Sequence, residues 1–154
     1  MTVPKEVTER RVIVDFSFPP GKAINDGIPR STYLEFEVSF SLPSIKSMVD
    51  RINSLGKSCL LYKRDLKGAF RQFSIDPGDY LFTGLSWNGK IFVDTELAMG
   101  LRSSAFCCQS VTEMVAKVAG KSSFTLVYLD DFGGAELASK AQESFDQLLY
   151  LLGE

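Results

Sequence analysis

Two acidic sites in this sequence have the residue types and surroundings that divalent-cation chemistry needs. Asp65 follows the apolar run Cys59-Leu60-Leu61-Tyr62 by way of Lys63-Arg64, and Asp130-Asp131 follows the run Phe124-Thr125-Leu126-Val127-Tyr128-Leu129. If both runs are strands of one sheet, three carboxylates meet at one edge. Such groups repel one another, and a divalent cation relieves the repulsion. Ligands that are all oxygen suit Mg²⁺ or Mn²⁺, with water and substrate phosphates completing the shell. That arrangement serves two-metal phosphoryl transfer. Each site also has an ordinary structural explanation. Asp-Asp is common turn chemistry, and Asp65 is placed to cap a helix starting at Leu66. Residue types and spacing leave both readings open.

Composition narrows the chemistry further. The chain has no histidine, which excludes Ser-His, Cys-His and histidine-zinc catalysis together. What remains is carboxylate, lysine, arginine, or a metal held on oxygen. Cys59, Cys107 and Cys108 are odd in number and have no zinc spacing, so buried thiols in a reducing compartment are expected. The 154 residues fit one domain, and 45% hydrophobic residues are enough for a packed core. Net charge is −2, so any nucleic-acid contact must rely on a local basic patch or on segments outside this chain. The N-terminus carries no apolar signal region, and no run is long enough to span a bilayer. The expected setting is intracellular, not secreted and with no membrane partner.

The elements that must position these groups can be read from periodicity. Arg11–Phe16 reads as a strand. Ser44–Leu55 sets Ile45, Met48, Val49, Ile52 and Leu55 on one helical face, with Gly56 as the stop. A buried strand follows from Cys59. Tyr80–Trp87 and Lys90–Asp94 flank Asn88-Gly89, a tight hairpin signal. A helix from about Ser104 to Val118 groups Cys107, Val111, Met114, Val115 and Val118 on one face, and Gly120 ends it. Phe124–Leu129 is a strand that breaks at Asp130-Asp131 and returns antiparallel through Phe132-Gly133-Gly134-Ala135. A last helix begins near Ser139, with Gln142 completing a capping box. The expected class is α+β, an antiparallel sheet with helices packed on one face.

The string Tyr128-Leu129-Asp130-Asp131 resembles the Tyr-X-Asp-Asp box of reverse transcriptases. Lys63-Arg64-Asp65-Leu66-Lys67-Gly68-Ala69-Phe70-Arg71-Gln72-Phe73 is similar to their first palm motif, an Asp followed five residues on by an aromatic. Between them, Leu97-Ala98-Met99-Gly100-Leu101-Arg102-Ser103-Ser104-Ala105-Phe106-Cys107-Cys108-Gln109 resembles the glycine-containing second motif, with Ala98 and Ala105 standing where members often have proline. Upstream, Arg11–Phe16 with Asn25 resembles the fingers strand and its following Asn. The wording is closest to the retrotransposons that carry a tyrosine recombinase, the DIRS-like group, notably at Ser17-Phe18-Pro19-Pro20-Gly21 and Asn25-Asp26-Gly27-Ile28-Pro29.

The resemblance implies a right-hand polymerase palm with partial fingers and no thumb. About 1–58 would be fingers and the leading palm helix, and about 59–154 the palm. It implies an RNA-directed DNA polymerase core that joins deoxynucleotides to a primer 3′-hydroxyl. Asp65 and Asp130 would bridge two Mg²⁺ ions, for which Mn²⁺ can substitute, with Asp131 beside them and the Leu66 carbonyl as a further ligand. Phe70 would be the steric gate against ribonucleotides, although an aromatic on an apolar face is also simply core. Arg11 would reach the triphosphate, Met99 would pack beside the nucleotide, and Gly100 would let backbone approach it. Gln109 and Tyr128 would face template or primer, with a solvated helix face equally open for Gln109. The implied partners are an RNA or DNA template-primer, a deoxynucleoside triphosphate, and the thumb and ribonuclease H of a longer polyprotein. Because the later palm motif is not in the sequence, the chain is expected to be a fragment. The competing expectations are a catalytically incompetent palm-fold remnant or nucleic-acid-binding module and, more remotely, a nucleotidyl cyclase.

Overall fold

A computed structural model of the chain describes residues 2–4, 10–33, 35–121 and 123–153, with side chains from residue 13 onward. The elements in order are β1 (Thr2–Pro4), β2 (Arg10–Val12), α1 (Ile24–Gly27), β3 (Thr32–Tyr33), β4 (Phe36–Glu37), α2 (Ile45–Leu55), β5 (Cys59–Asp65), β6 (Gly84–Trp87), β7 (Lys90–Val93), α3 (Arg102–Ala119), β8 (Thr125–Tyr128), β9 (Asp131–Leu137) and α4 (Ala141–Leu152). The result is a mixed α+β fold built on antiparallel sheet. The chain forms two compact units, residues 1–39 with 70–106 and residues 40–69 with 107–154. No helix among the described residues is long and apolar enough to cross a membrane.

The second unit is a three-stranded antiparallel sheet in the order β5-β9-β8. Its core is Phe132 and Leu148, both fully buried, with Ala116, Ala119 and Val127. Tyr62, Leu66, Val115, Leu151 and Leu152 pack around them. Phe132 alternates with Asp131 and Gly133 along β9, so it faces α3 and α4 while its neighbours face the other way. Burying a phenyl ring and a leucine this fully contributes about 1.5–3 kcal/mol each.

Sequence signals placed most ends well. Ser44 caps α2, its hydroxyl accepting the Lys46 N–H at 3.2 Å, and Gly56 ends the helix with φ of 70°. Asn88 and Gly89 both take positive φ, 54° and 72°, in the β6–β7 turn. Other expectations shift. The Arg11–Phe16 strand is shorter, with β2 pairing with β1 only over Arg10–Val12. The capping box at Ser139 is replaced by a start at Ala141 after Lys140, which makes no side-chain cap, and Gln142 instead donates to Asp146 at 2.8 Å.

The largest correction concerns α3. Val111, Met114 and Val118, expected in the core, are exposed, and the buried side is Ser104, Cys108, Gln109, Thr112, Ala116 and Ala119. Small residues let the helix lie close to its neighbours, and Thr112 returns its hydroxyl to the Cys108 carbonyl at 3.0 Å, so burying it leaves no bond unmade.

One contact locks the sheet. Tyr62 lies opposite Gly134 in the β5–β9 ladder. Its ring crosses β9 over that glycine, its hydroxyl donates to the Phe124 carbonyl at 3.1 Å, and Phe145 of α4 packs on it at 6.0 Å between ring centres. A Cβ added at Gly134 would come within 2.0 Å of the ring. Gly134→Ala should therefore cost about 1–3 kcal/mol of stability. In a Tyr62→Leu background the same substitution should cost less than about 1 kcal/mol. Urea unfolding followed by circular dichroism of the four proteins would check this, and equal costs in both backgrounds would refute the contact.

Candidate active site

The ladder brings the predicted carboxylates together. Asp65, the last residue of β5, stands directly opposite Asp131, the first of β9, and Asp131 is opposite Tyr128 at the end of β8. Directly opposed residues of an antiparallel pair share a face. Asp65, Asp131 and Tyr128 therefore stand in a row across the sheet end. Asp130 occupies the connecting turn with Leu129, so the turn is one residue earlier than the expected Asp130-Asp131. The Leu66 N–H donates to the Asp130 carbonyl at 2.8 Å, which fastens this turn to the end of β5.

Lys63 lies two residues before Asp65 and so on the same strand face. Its ammonium meets the Asp131 carboxylate at 2.9 Å. Its pKa is raised by that hydrogen bond and charge first, and by Asp65 and Asp130 in addition, so one ammonium feels all three carboxylates. Sequence reasoning missed this residue, although the two-residue spacing in a strand was visible. Among the described residues, no three His, Cys, Asp or Glu groups converge closely enough to chelate an ion by themselves. Mg²⁺ seldom asks for such a cage. It takes one or two carboxylates, with water and substrate phosphates supplying the rest. An oxygen-only pair from opposed strands and an adjoining turn carboxylate fit that donor chemistry.

Backbone conformation at the turn is unusual. Leu129 has φ of 56°, which costs a non-glycine residue roughly 1–2 kcal/mol. Two side chains of α3 hold it there. The Leu129 N–H donates to Gln109 Oε1 at 2.7 Å, and the Cys108 thiol reaches the Leu129 carbonyl at 3.9 Å. Gln109 is thus buried, and both ends of its amide are engaged within the chain. The solvated helix face considered for it is corrected, because the strand end claims the amide. Tyr128 is half-exposed beside Asp131.

The remaining predicted residues belong to the other unit. Gly100 has φ of 105°, and a Cβ there would sit 3.2 Å from the Val14 carbonyl oxygen. The chain's own backbone just after β2 is therefore one reason for glycine at this position. The Gly100 carbonyl accepts from Asn25 Nδ2 at 2.9 Å, while Asn25 Oδ1 accepts the Arg102 N–H at 2.8 Å, so this buried amide sets the turn that opens α3. Met99 is exposed. Phe70 is half-buried in a short 3₁₀ turn, Ala69–Gln72. Arg11 lies in β2, and its side chain is outside the described residues.

Structural comparison finds this architecture again in foamy virus protease–reverse transcriptase. One such structure, in complex with double-stranded DNA, aligns with 98% of this chain at a TM-score of 0.75 and 20% identity, covering 24% of that chain. A crystal structure of the prototype foamy virus protein aligns over 98% at 0.73 and 19% identity, covering 18% of that chain. The fold is that of a reverse transcriptase domain. This chain spans about a quarter or less of the length of those proteins. No family model matches the sequence, and no curated protein sequence matches it. The acidic row at the sheet end is where this chain offers hard oxygen donors.

Cys108 is fully buried behind the turn, and burial first, then the charge of Asp130, pushes its thiol up to about 11. Iodoacetamide at pH 8 should modify the half-buried Cys59 while Cys108 stays intact, and all three cysteines should react in urea, as peptide mass spectrometry would read. The thiol titrates near 9.0 when unfolded. The stability that keeping this thiol protonated contributes should therefore be fully present below pH 9 and be lost as pH rises from there through 11.

Proposed function

We propose that this chain is the nucleotidyl-transfer core of an RNA-directed DNA polymerase, of the DIRS-like retrotransposon type that its motif wording resembles. The observation that carries the reading is the register of Asp65 opposite Asp131, with Asp130 in the adjoining turn, on a reverse transcriptase fold. Asp65 and Asp130 would hold two Mg²⁺ ions, with Asp131 beside them and the Leu66 carbonyl as a further ligand. When bound, the metal pair would supply an acidified primer 3′-hydroxyl and charge neutralisation at the triphosphate. The protein's own part is to hold its carboxylates at fixed positions before substrate arrives, so that no reorganisation is needed at reaction.

In this reading Phe70 excludes a 2′-hydroxyl by bulk, Met99 and Gly100 border the nucleotide, and Arg11 meets its phosphates. Those roles rest on sequence resemblance. Tyr128, exposed beside Asp131, would meet the primer end. Template-primer and deoxynucleoside triphosphate would be the partners. A thumb and ribonuclease H elsewhere in a polyprotein would grip the duplex. The setting would be the cytoplasm or nucleus.

A second reading has one observation in its favour. The Lys63 ammonium already satisfies Asp131, as a palm-fold remnant that no longer needs a metal would have it. Mn²⁺ binding, followed by electron paramagnetic resonance with and without a deoxynucleoside triphosphate, separates the two. The polymerase reading expects nucleotide-enhanced binding that Asp65→Asn and Asp130→Asn each abolish. It also expects Lys63→Met to tighten Mn²⁺ binding by about two- to fivefold, the scale of an exposed ion pair. Wild type and aspartate variants that bind alike, or not at all, would establish the remnant.

A further inference from the structure

We propose that Gln109 is a positioning residue for the acidic turn: its buried amide, together with the Cys108 thiol, holds Leu129 in its left-handed conformation and so fixes where Asp130 stands. The proposal rests on the metal-site reading above for its functional consequence, but the clamp itself can be tested separately.

Gln109 sits on α3, only 3% exposed. Its Nε2 donates to the Val127 carbonyl and to Glu113 Oε1, each at 3.1 Å, and its Oε1 accepts the Leu129 N–H at 2.7 Å. One planar amide therefore grips β8 on both sides of Tyr128. The task needs a donor and an acceptor on the same rigid group at this reach. Glutamate lacks the donor, methionine lacks both, and asparagine is one methylene short.

The grip matters because of the residue it holds. Leucine disfavours positive φ, and the first position of a two-residue hairpin turn with positive φ is ordinarily glycine. Left alone, Leu129 would relax, and Asp130 is the next residue. With Gln109 on the Leu129 N–H, Cys108 on its carbonyl and Leu66 on the Asp130 carbonyl, the turn backbone is fastened at three polar groups. Residues behind metal ligands commonly change metal affinity by about ten- to a hundredfold when removed.

The experiment uses the full chain as wild type, Gln109→Met, Leu129→Gly and the double variant. Backbone amide exchange at Leu129 reads the clamp, and Mn²⁺ affinity reads its consequence. Gln109→Met should speed Leu129 exchange at least tenfold and weaken Mn²⁺ binding about tenfold, while the thermal midpoint shows that the chain is still folded. Adding Leu129→Gly should recover part of the lost affinity, because glycine adopts the left-handed conformation without help. A general packing defect would not be repaired by glycine. A wild-type Leu129 amide that exchanges like an unstructured one overturns the clamp without any variant, which also covers a Gln109→Met protein that fails to fold. Unchanged Mn²⁺ affinity in Gln109→Met, with Asp130→Asn inactive in binding, overturns the positioning role. If wild type binds no Mn²⁺, the metal-site reading falls by itself, and Leu129 exchange in Gln109→Met then decides the clamp: faster exchange sustains it and unchanged exchange ends it.

Discussion

Everything at the acidic end of the sheet depends on the register in which β5 meets β9. Side chains alternate between faces along a strand, so a slip of one residue would turn Asp65 toward α3 and α4 and Tyr62 away from them. The hydrophobic pattern alone guards this register weakly, since β5 carries Leu60 and Leu61 on opposite faces and both are exposed. The stronger guard is steric. Tyr62 lies across β9 where Gly134 has no side chain, and its hydroxyl is tied to Phe124 on the far side. In a slipped ladder the ring would lie over a residue that carries a Cβ, Ala135 on one side, or lose its anchor. Gly133 beside it is less demanding, since a Cβ there would meet Met48 of α2 at 3.7 Å, an ordinary contact. A pair of glycines in a central strand weakens the strand in isolation. Here the missing side chain at Gly134 is the means by which Tyr62 is seated across the sheet.

The second constraint is polar and comes from α3. Its buried side is made of residues that are short, or that hydrogen-bond, or both. This gives up apolar burial in exchange for a close approach and for bonds aimed at chosen backbone atoms. Gln109, Cys108 and Thr112 are all on it. A leucine-rich face would have packed more area and would have left the turn after Tyr128 unsupported. The unit therefore places stability and positioning in different elements, with the apolar core carried by Phe132 and Leu148 and the geometry of the turn carried by side chains that contribute little area.

Much of this was legible in the sequence. Strand, turn and helix signals at Ser44, Gly56 and Asn88-Gly89 rest on local backbone chemistry, and local chemistry is what a sequence displays. That Asp65 and Asp131 would stand at one sheet end was legible from the apolar runs that precede them. What stayed hidden was which face of α3 is buried, because apolar periodicity marks a stripe without saying which element will meet it. Val111, Met114 and Val118 satisfied the period and point outward. Gln109 could not be assigned for the same reason. Its partners lie 18 and 20 residues away on a strand whose docking no local signal reveals. Lys63 was readable from its spacing to Asp65, but its partner was not, since Asp131 comes opposite only through the ladder.

The single tryptophan has a consequence for any optical study of this chain. Trp87 ends β6 beside the Asn88-Gly89 turn, 72% exposed, in the unit that does not contain the carboxylates. An indole already in water emits much the same before and after the chain opens. Its fluorescence thus follows the hairpin and little else. Tyrosine carries the other half of the spectrum: Tyr62 is half-buried under Phe145, and Tyr128 stands next to Asp131. A tryptophan moved from position 87 to position 128 would report on the acidic edge instead of the hairpin.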